Sequence, residues 1–149
     1  MPTLTFLAEV LITAYLFAMV EIQIEGSDGW AARLPTWKLE NKWTRALLGR
    51  KPLTGYHLYM FLFVFVFLHL PYALDLAPFT WKSESRILSF MIFFWVIEDF
   101  LWFVLNPSYG LRKFKPEFIW WHAHSWWWIM PRDYVIYSPI GMLLYYLSL

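Results

Sequence analysis

Long apolar runs separated by short polar segments dominate the pattern of this chain. A helix that crosses a bilayer needs roughly 20 predominantly apolar residues, and we expect four such helices, at residues 4–24, 54–74, 84–105 and 131–149. Ser83 suits the N-cap of the third helix, and Pro131 suits the first turn of the fourth. The pattern therefore predicts an all-α polytopic membrane protein, a single integral membrane domain (1–149) with four transmembrane helices in a bundle.

Two connecting segments carry a pattern of their own. Between Thr36 and Gly49, the residues Leu39, Trp43 and Leu47 recur every four positions, with basic residues elsewhere on the helical wheel. This spacing predicts a short amphipathic helix in the headgroup region, in contact with membrane lipids. Residues 116–129 contain five tryptophans, which prefer the membrane interface. We expect a second interfacial or re-entrant segment there.

Composition narrows the class of protein further. Hydrophobic residues make up 60% of the chain and charged residues only 15%, against about 25% charged residues in a typical soluble domain. With 12 basic and 11 acidic side chains and no continuous basic stripe, we expect no nucleic-acid partner. The absence of cysteine excludes disulfides and thiolate metal sites.

The distribution of Lys and Arg predicts the orientation. Ten of these residues lie in or beside the first and third connecting segments, whereas only Lys82 and Arg86 lie near the second. Because basic loops stay in the cytoplasm, we expect the first and third segments there and both termini outside.

Ionisable residues in an apolar chain are candidates for function, because a charge in hydrocarbon is costly. The predicted topology collects eight of them near the cytoplasmic side: Glu21, Glu25, His57, Glu98, Asp99, His122, His124 and Asp133. Glu9, His69 and Asp75 fall at the other side. This convergence is the strongest functional signal in the sequence.

Helical geometry refines the set. Glu21 and Glu25 are four residues apart and share a helix face, whereas the adjacent Glu98 and Asp99 diverge by about 100° and suit different roles. In an extended segment both His122 and His124 face the site, and in a helix only one does. A site shared with Glu98 requires tilted helices or a third connecting segment that dips inward.

Histidines and carboxylates from different helices suit a divalent metal ion, zinc first, with iron or manganese as alternatives. The expected ligands are Glu21, His57, Glu98, His122 and His124, with Asp99 or Glu25 as general base. Such a metalloprotein would act on a lipid-like substrate. The alternatives are a non-enzymatic role in ion or proton movement, a subunit of a membrane complex, or helix-end carboxylates that simply pair with the basic loops.

Ile97-Glu98-Asp99-Phe100-Leu101-Trp102-Phe103 resembles the paired-carboxylate motif of small membrane-integral lycopene cyclases. Here Asp stands in place of the second Glu, and the preceding Pro is absent. The resemblance implies metal-free isoprenoid or carotenoid chemistry, in which a carboxyl pair beside aromatic rings handles a carbocation.

Overall fold

Helices make up most of the protein in a computed structural model that describes residues 3–48 and 51–149. The helices of these ranges are α1 (Thr3–Glu25), α2 (Lys42–Leu48), α3 (Gly55–Ala73), α4 (Trp81–Leu105) and α5 (Arg132–Leu147). Of the described helices, three are long and apolar enough to cross a membrane: α1, α3 and α4. With 16 residues, α5 is about 24 Å long, short of a hydrocarbon core of about 30 Å. The prediction of four spans is therefore not confirmed.

Helix α4 packs against both α1 and α5. The buried face of α1 repeats every four residues through Phe6, Val10, Ala14 and Ala18, and small residues on such a face let helices approach closely. On α5, a Cβ at Gly141 would lie only 3.1 Å from the side chain of Ile92. The polar residues at the end of α1 and at the start of α5 lie at the same end of α4.

Helix α3 is held mainly at its first turn. Its buried residues are Gly55 and His57, and the side chain of Thr54 caps the helix by accepting a hydrogen bond from the backbone of His57. Two short strands, β1 (Lys38–Leu39) and β2 (Leu53–Thr54), pair just before this turn. The cap and the strand pair thus fix the position of the first turn of α3, which contains His57.

The connecting segments meet in two groups at opposite ends. The Asn106 side chain donates to the carbonyl of Gly26 at 2.8 Å, which joins the first and third connecting segments. At the other end, Lys82 donates to the Leu149 carbonyl at 2.8 Å. The predicted grouping of the loops therefore matches the contacts, whereas the side of the membrane on which each group lies stays a prediction.

Two local predictions are wrong in detail, and a third falls outside the described residues. Helix α4 begins one turn earlier than expected, since Thr80 is the N-cap and Ser83 completes a capping box with it. Where we expected one helix from Thr36, the structure has a strand followed by the shorter helix α2. The first backbone N–H groups of α2 donate hydrogen bonds to the Asn41 side chain. Gly49, its expected end, lies outside the described residues.

The tryptophan-rich segment is not a helix. Turns lead into a hairpin of β3 (Trp126–Trp127) and β4 (Met130–Pro131), preceded by a 3₁₀ turn at Leu111–Lys113. The side chain of Trp128 is left 87% exposed at the hairpin tip, which is consistent with an interfacial position. The other end of the segment turns inward and reaches the site.

Candidate functional site

A cavity of about 340 Å³ lies between α1, α3, α4 and α5, at the end where the first and third connecting segments meet. The lining includes a dense set of titratable side chains: Glu21, Glu25, Lys51, His57, Glu98, Asp99, His122, Asp133 and Tyr134. Seven of the eight residues that the sequence places near the cytoplasmic side are therefore brought together. Their chemical roles stay predictions.

Glu21 and Glu98 meet across the α1–α4 contact. Both side chains are buried and line the same cavity, so their carboxyl groups repel each other when both are ionised. The Tyr56 hydroxyl donates to Glu21 Oε1 at 3.0 Å. Glu98 Oε1 has no hydrogen-bond partner among the residues that the structure describes.

Asp99, the neighbour of Glu98, belongs to a different cluster. His122 Nε2 lies 3.2 Å from Asp99 Oδ2, and the Tyr134 hydroxyl donates to the same oxygen. Burial lowers the pKa of His122, outweighing the opposing effect of Asp99, so the ring is neutral near pH 7. An Nε2–H that donates to Asp99 leaves Nδ1 as an acceptor, and within the described ranges this atom has no partner.

The third connecting segment delivers His122 by dipping inward, one of the two arrangements that the sequence analysis allowed. The ring of Trp121 stacks on Phe103 with centroids 5.5 Å apart. Gly29 makes room, because a Cβ there would lie 2.2 Å from the Trp121 ring. His122 is buried, whereas His124 is exposed and does not line the cavity. The prediction that His124 joins the site is therefore not supported by its position.

His57 is held on three sides. The Thr54 hydroxyl lies 2.7 Å from Nδ1, and Nε2 points to Glu25 Oε1 at 3.7 Å. The Trp30 ring stacks on the imidazole with centroids 3.8 Å apart. Trp30 and Ala31 both have positive φ, near +48° and +50°, a conformation that costs roughly 1–2 kcal/mol per residue. This turn places the ring on His57 and lets Ala31 donate to Glu25.

Lys51 closes the cavity from the first connecting segment. Its Nζ lies 4.1 Å from the centre of the Trp30 ring and 3.7 Å from Asp133 Oδ2. Burial lowers the pKa of this ammonium group. Asp133 also accepts from Arg132 at 3.1 Å, so this carboxylate is paired with cations.

Aromatic rings form much of the remaining wall: Trp30, Phe61, Trp95, Trp102 and Trp121. Phe61 meets Trp95 edge to face with centroids 4.4 Å apart, which joins α3 to α4 beside the cavity. The indole N–H groups of Trp95 and Trp102 are buried and have no acceptor in the part of the chain that the structure describes. The cavity lining thus combines acidic and aromatic side chains.

Residues expected at the other side stay apart from this site. His69 Nε2 lies 3.2 Å from Glu84 Oε1, near the far end of α3. Glu9 and Asp75 are exposed. The prediction that His57 and His69 do not share a site agrees with these positions.

The expected metal ligands form pairs. His57 faces Glu25, and His122 faces Asp99. In residues 3–48 and 51–149 no group of three or more His, Asp or Glu side chains is arranged to hold a metal ion. Zinc, iron or manganese binding therefore stays a prediction.

Four residues of the site were not found by sequence reasoning: Trp30, Lys51, Thr54 and Tyr134. Thr54 carried a usable signal, since a threonine directly before an apolar run is a common N-cap. Lys51 was counted only as a loop charge, and its burial depends on how the first connecting segment folds back over the helices.

Comparison of the chain with protein-family models, curated proteins and solved structures gave no match.

Proposed function

We propose that this membrane protein is an enzyme that isomerises or cyclises a lipid-like, isoprenoid-type alkene by proton transfer. The observation that carries the proposal is the buried Glu98 carboxyl group, which lines the aromatic cavity together with Glu21 and has one oxygen without a partner among the described residues. Such a reaction adds one proton and removes another, so the carboxyl and imidazole groups of the cavity suffice for it.

Glu98 is the proton donor in this proposal. The electron pair of a substrate double bond takes the proton from Glu98 and forms a new C–H bond, which leaves a positive charge on the adjacent carbon. Glu21 lines the same cavity and is a second source of a proton. A positioned acid of this kind contributes about 10²–10⁴-fold in rate.

His122 is the base. Its Nδ1 is the free acceptor when Nε2–H donates to Asp99. Removal of a proton from a carbon beside the cation returns the electron pair to a new double bond, and Asp99 stabilises the imidazolium formed. Tyr134 holds Asp99 in place through its own hydrogen bond. His57 with Glu25 is a second pair of the same type.

The aromatic walls fit the same chemistry. Ring faces attract a cation within about 6 Å of their centres, and Trp95 and Trp102 line the cavity. Apolar walls also exclude water, which would otherwise capture a carbocation. The resemblance of residues 97–103 to the carboxyl-pair motif of lycopene cyclases supports this reaction class.

Hydrogen exchange from solvent tests the proposal. Purified protein in lipid nanodiscs is incubated in D₂O with squalene or lycopene, and the recovered isoprenoids are analysed by mass spectrometry. We expect deuterium on carbon with the wild-type protein and about 100-fold less with Glu98→Gln. Glu9→Gln, a carboxyl change at an exposed position of α1, serves as the matched control. If wild-type protein deuterates neither isoprenoid, the non-enzymatic alternatives gain the stronger position.

A metal-dependent enzyme is the second proposal. It is favoured by the contact between His57 Nδ1 and the Thr54 hydroxyl at 2.7 Å. When Nδ1–H donates to this hydroxyl, Nε2 is left unprotonated and faces Glu25, as in metal-bound histidines. Elemental analysis after purification without chelator tests it. We expect a divalent ion in wild-type protein, about tenfold or weaker binding in His57→Ala, and no change in His69→Ala. Equal metal content in all three proteins would contradict this version.

A further inference from the structure

The charges around the cavity are unequal. Its described lining includes five carboxyl side chains, Glu21, Glu25, Glu98, Asp99 and Asp133, and one lysine, Lys51. Of these carboxylates, Asp133 is paired with Lys51 and Arg132. Burying a carboxylate without a nearby cation costs free energy. An occupant that carries positive charge therefore stabilises this cavity most.

Three of the other carboxyls accept hydrogen bonds from neutral groups: Glu21 from the Tyr56 hydroxyl, Glu25 from the Ala31 backbone N–H, and Asp99 from the Tyr134 hydroxyl. Imidazole rings also face two of them, His57 at 3.7 Å from Glu25 and His122 at 3.2 Å from Asp99. Neutral partners satisfy the oxygens without cancelling their charge. Within the described residues, the charge of these carboxyls is therefore left to be balanced by protons or by a ligand.

An independent observation points to a ligand. Glu98 is only 3% exposed and lines the cavity, yet its Oε1 has no partner among the described residues. A buried hydrogen-bond acceptor without a donor costs free energy unless a ligand supplies the donor. The aromatic walls select the kind of occupant, because indole and phenyl faces hold organic cations by cation–π attraction.

We propose that this cavity binds lipophilic organic cations, an ammonium head on an apolar chain, in preference to neutral or anionic molecules of the same length. The head lies near the ring of Trp95 and the carboxylate of Glu98, which releases its proton when the cation binds, and the chain extends along the apolar walls. The inference shares its cavity with the proposed function and deepens it, since a substrate that becomes cationic during turnover would be held by the same groups.

Binding of three probes with a common octyl chain tests the inference: octylammonium, which has N–H donors, octanol and octanoate. Purified full-length protein in nonionic maltoside micelles is titrated with each, and the intrinsic tryptophan fluorescence gives the dissociation constant. We expect the ammonium to bind about tenfold or more tightly than either other probe, the size of effect that one charge-assisted contact supplies. Equal or tighter binding of octanol or octanoate would overturn the proposal.

Two variants locate the binding. Glu98→Gln should weaken ammonium binding about tenfold, whereas Glu9→Gln should leave it unchanged. Because Glu98→Gln could also affect folding, Trp95→Leu provides a second measure: loss of one cation–π contact should weaken binding several-fold, while Trp128→Leu at the exposed hairpin tip should not. Wild-type affinity in both cavity variants would refute the assignment.

The outcomes of the binding experiment and the deuterium experiment are independent of each other. Selective ammonium binding without deuterium incorporation supports the cation site and contradicts the isomerase or cyclase. Deuterium incorporation that depends on Glu98, without a preference for the ammonium probe, supports the enzyme and overturns the cation site.

Discussion

At the scale of single residues, Gly29 decides whether the third connecting segment can reach the cavity. Its φ is +63°, and a Cβ would lie 2.2 Å from the Trp121 ring, which neighbours His122. We expect Gly29→Ala to destabilise the protein by roughly 2–5 kcal/mol, because left-handed strain of about 1–2 kcal/mol adds to overpacking of about 1–3 kcal/mol. The melting temperature in detergent measures the loss.

Gly26→Ala is the matched control for this prediction. Gly26 has nearly the same φ, +66°, but a Cβ there meets nothing within 4 Å. Gly26→Ala should show the effect of backbone strain alone, so we expect it to lower the melting temperature less than Gly29→Ala does. Equal losses in the two variants would mean that contact with Trp121 contributes nothing.

At the scale of elements, the α4–α5 contact depends on Gly141. The Ser89 hydroxyl donates to the Gly141 carbonyl at 2.8 Å, and a Cβ at Gly141 would lie 3.2 Å from the Phe93 ring. Gly141→Leu adds a branched side chain in this contact and should lower the melting temperature clearly, since overpacking costs about 1–3 kcal/mol. Met142→Leu, at a 60% exposed position next along the same helix, should have little effect. Comparable losses from both would contradict the close packing.

At the scale of the whole molecule, orientation in the membrane is the testable property. The first and third connecting segments meet at one end of the helices, joined in part by the Tyr109 hydroxyl donating to the Ser27 carbonyl at 2.9 Å. Their ten basic residues predict that this end is cytoplasmic. Since the chain has no cysteine, Ser27→Cys and Leu76→Cys each introduce a single thiol at opposite ends.

Labelling with a membrane-impermeant maleimide on intact cells distinguishes the two orientations. We expect Leu76→Cys to react from outside and Ser27→Cys to react only after the membrane is opened. The reverse pattern would place the cavity at the outer side, while leaving its internal geometry unchanged.

Some features of the fold can be predicted from the sequence, and others cannot. Helices α1, α3 and α4 follow from apolar length alone, which is a local property. The first connecting segment does not, because its strand at Lys38–Leu39 depends on pairing with Leu53–Thr54, a partner that the periodicity of the segment does not reveal. Ser83 was misplaced for a smaller reason: Thr80 is an equally good cap three residues earlier.

For the site, the length and alternating direction of the apolar spans were enough to predict that Glu21, Glu25, His57, Glu98 and Asp99 come to one end of the helices. The partners of these residues depend on the tertiary structure. It separated Glu98 from Asp99, selected His122 over His124, and added Lys51 and Tyr134. These choices depend on how loops fold over helix ends, where a turn of one residue changes which side chain faces inward and no periodicity constrains it.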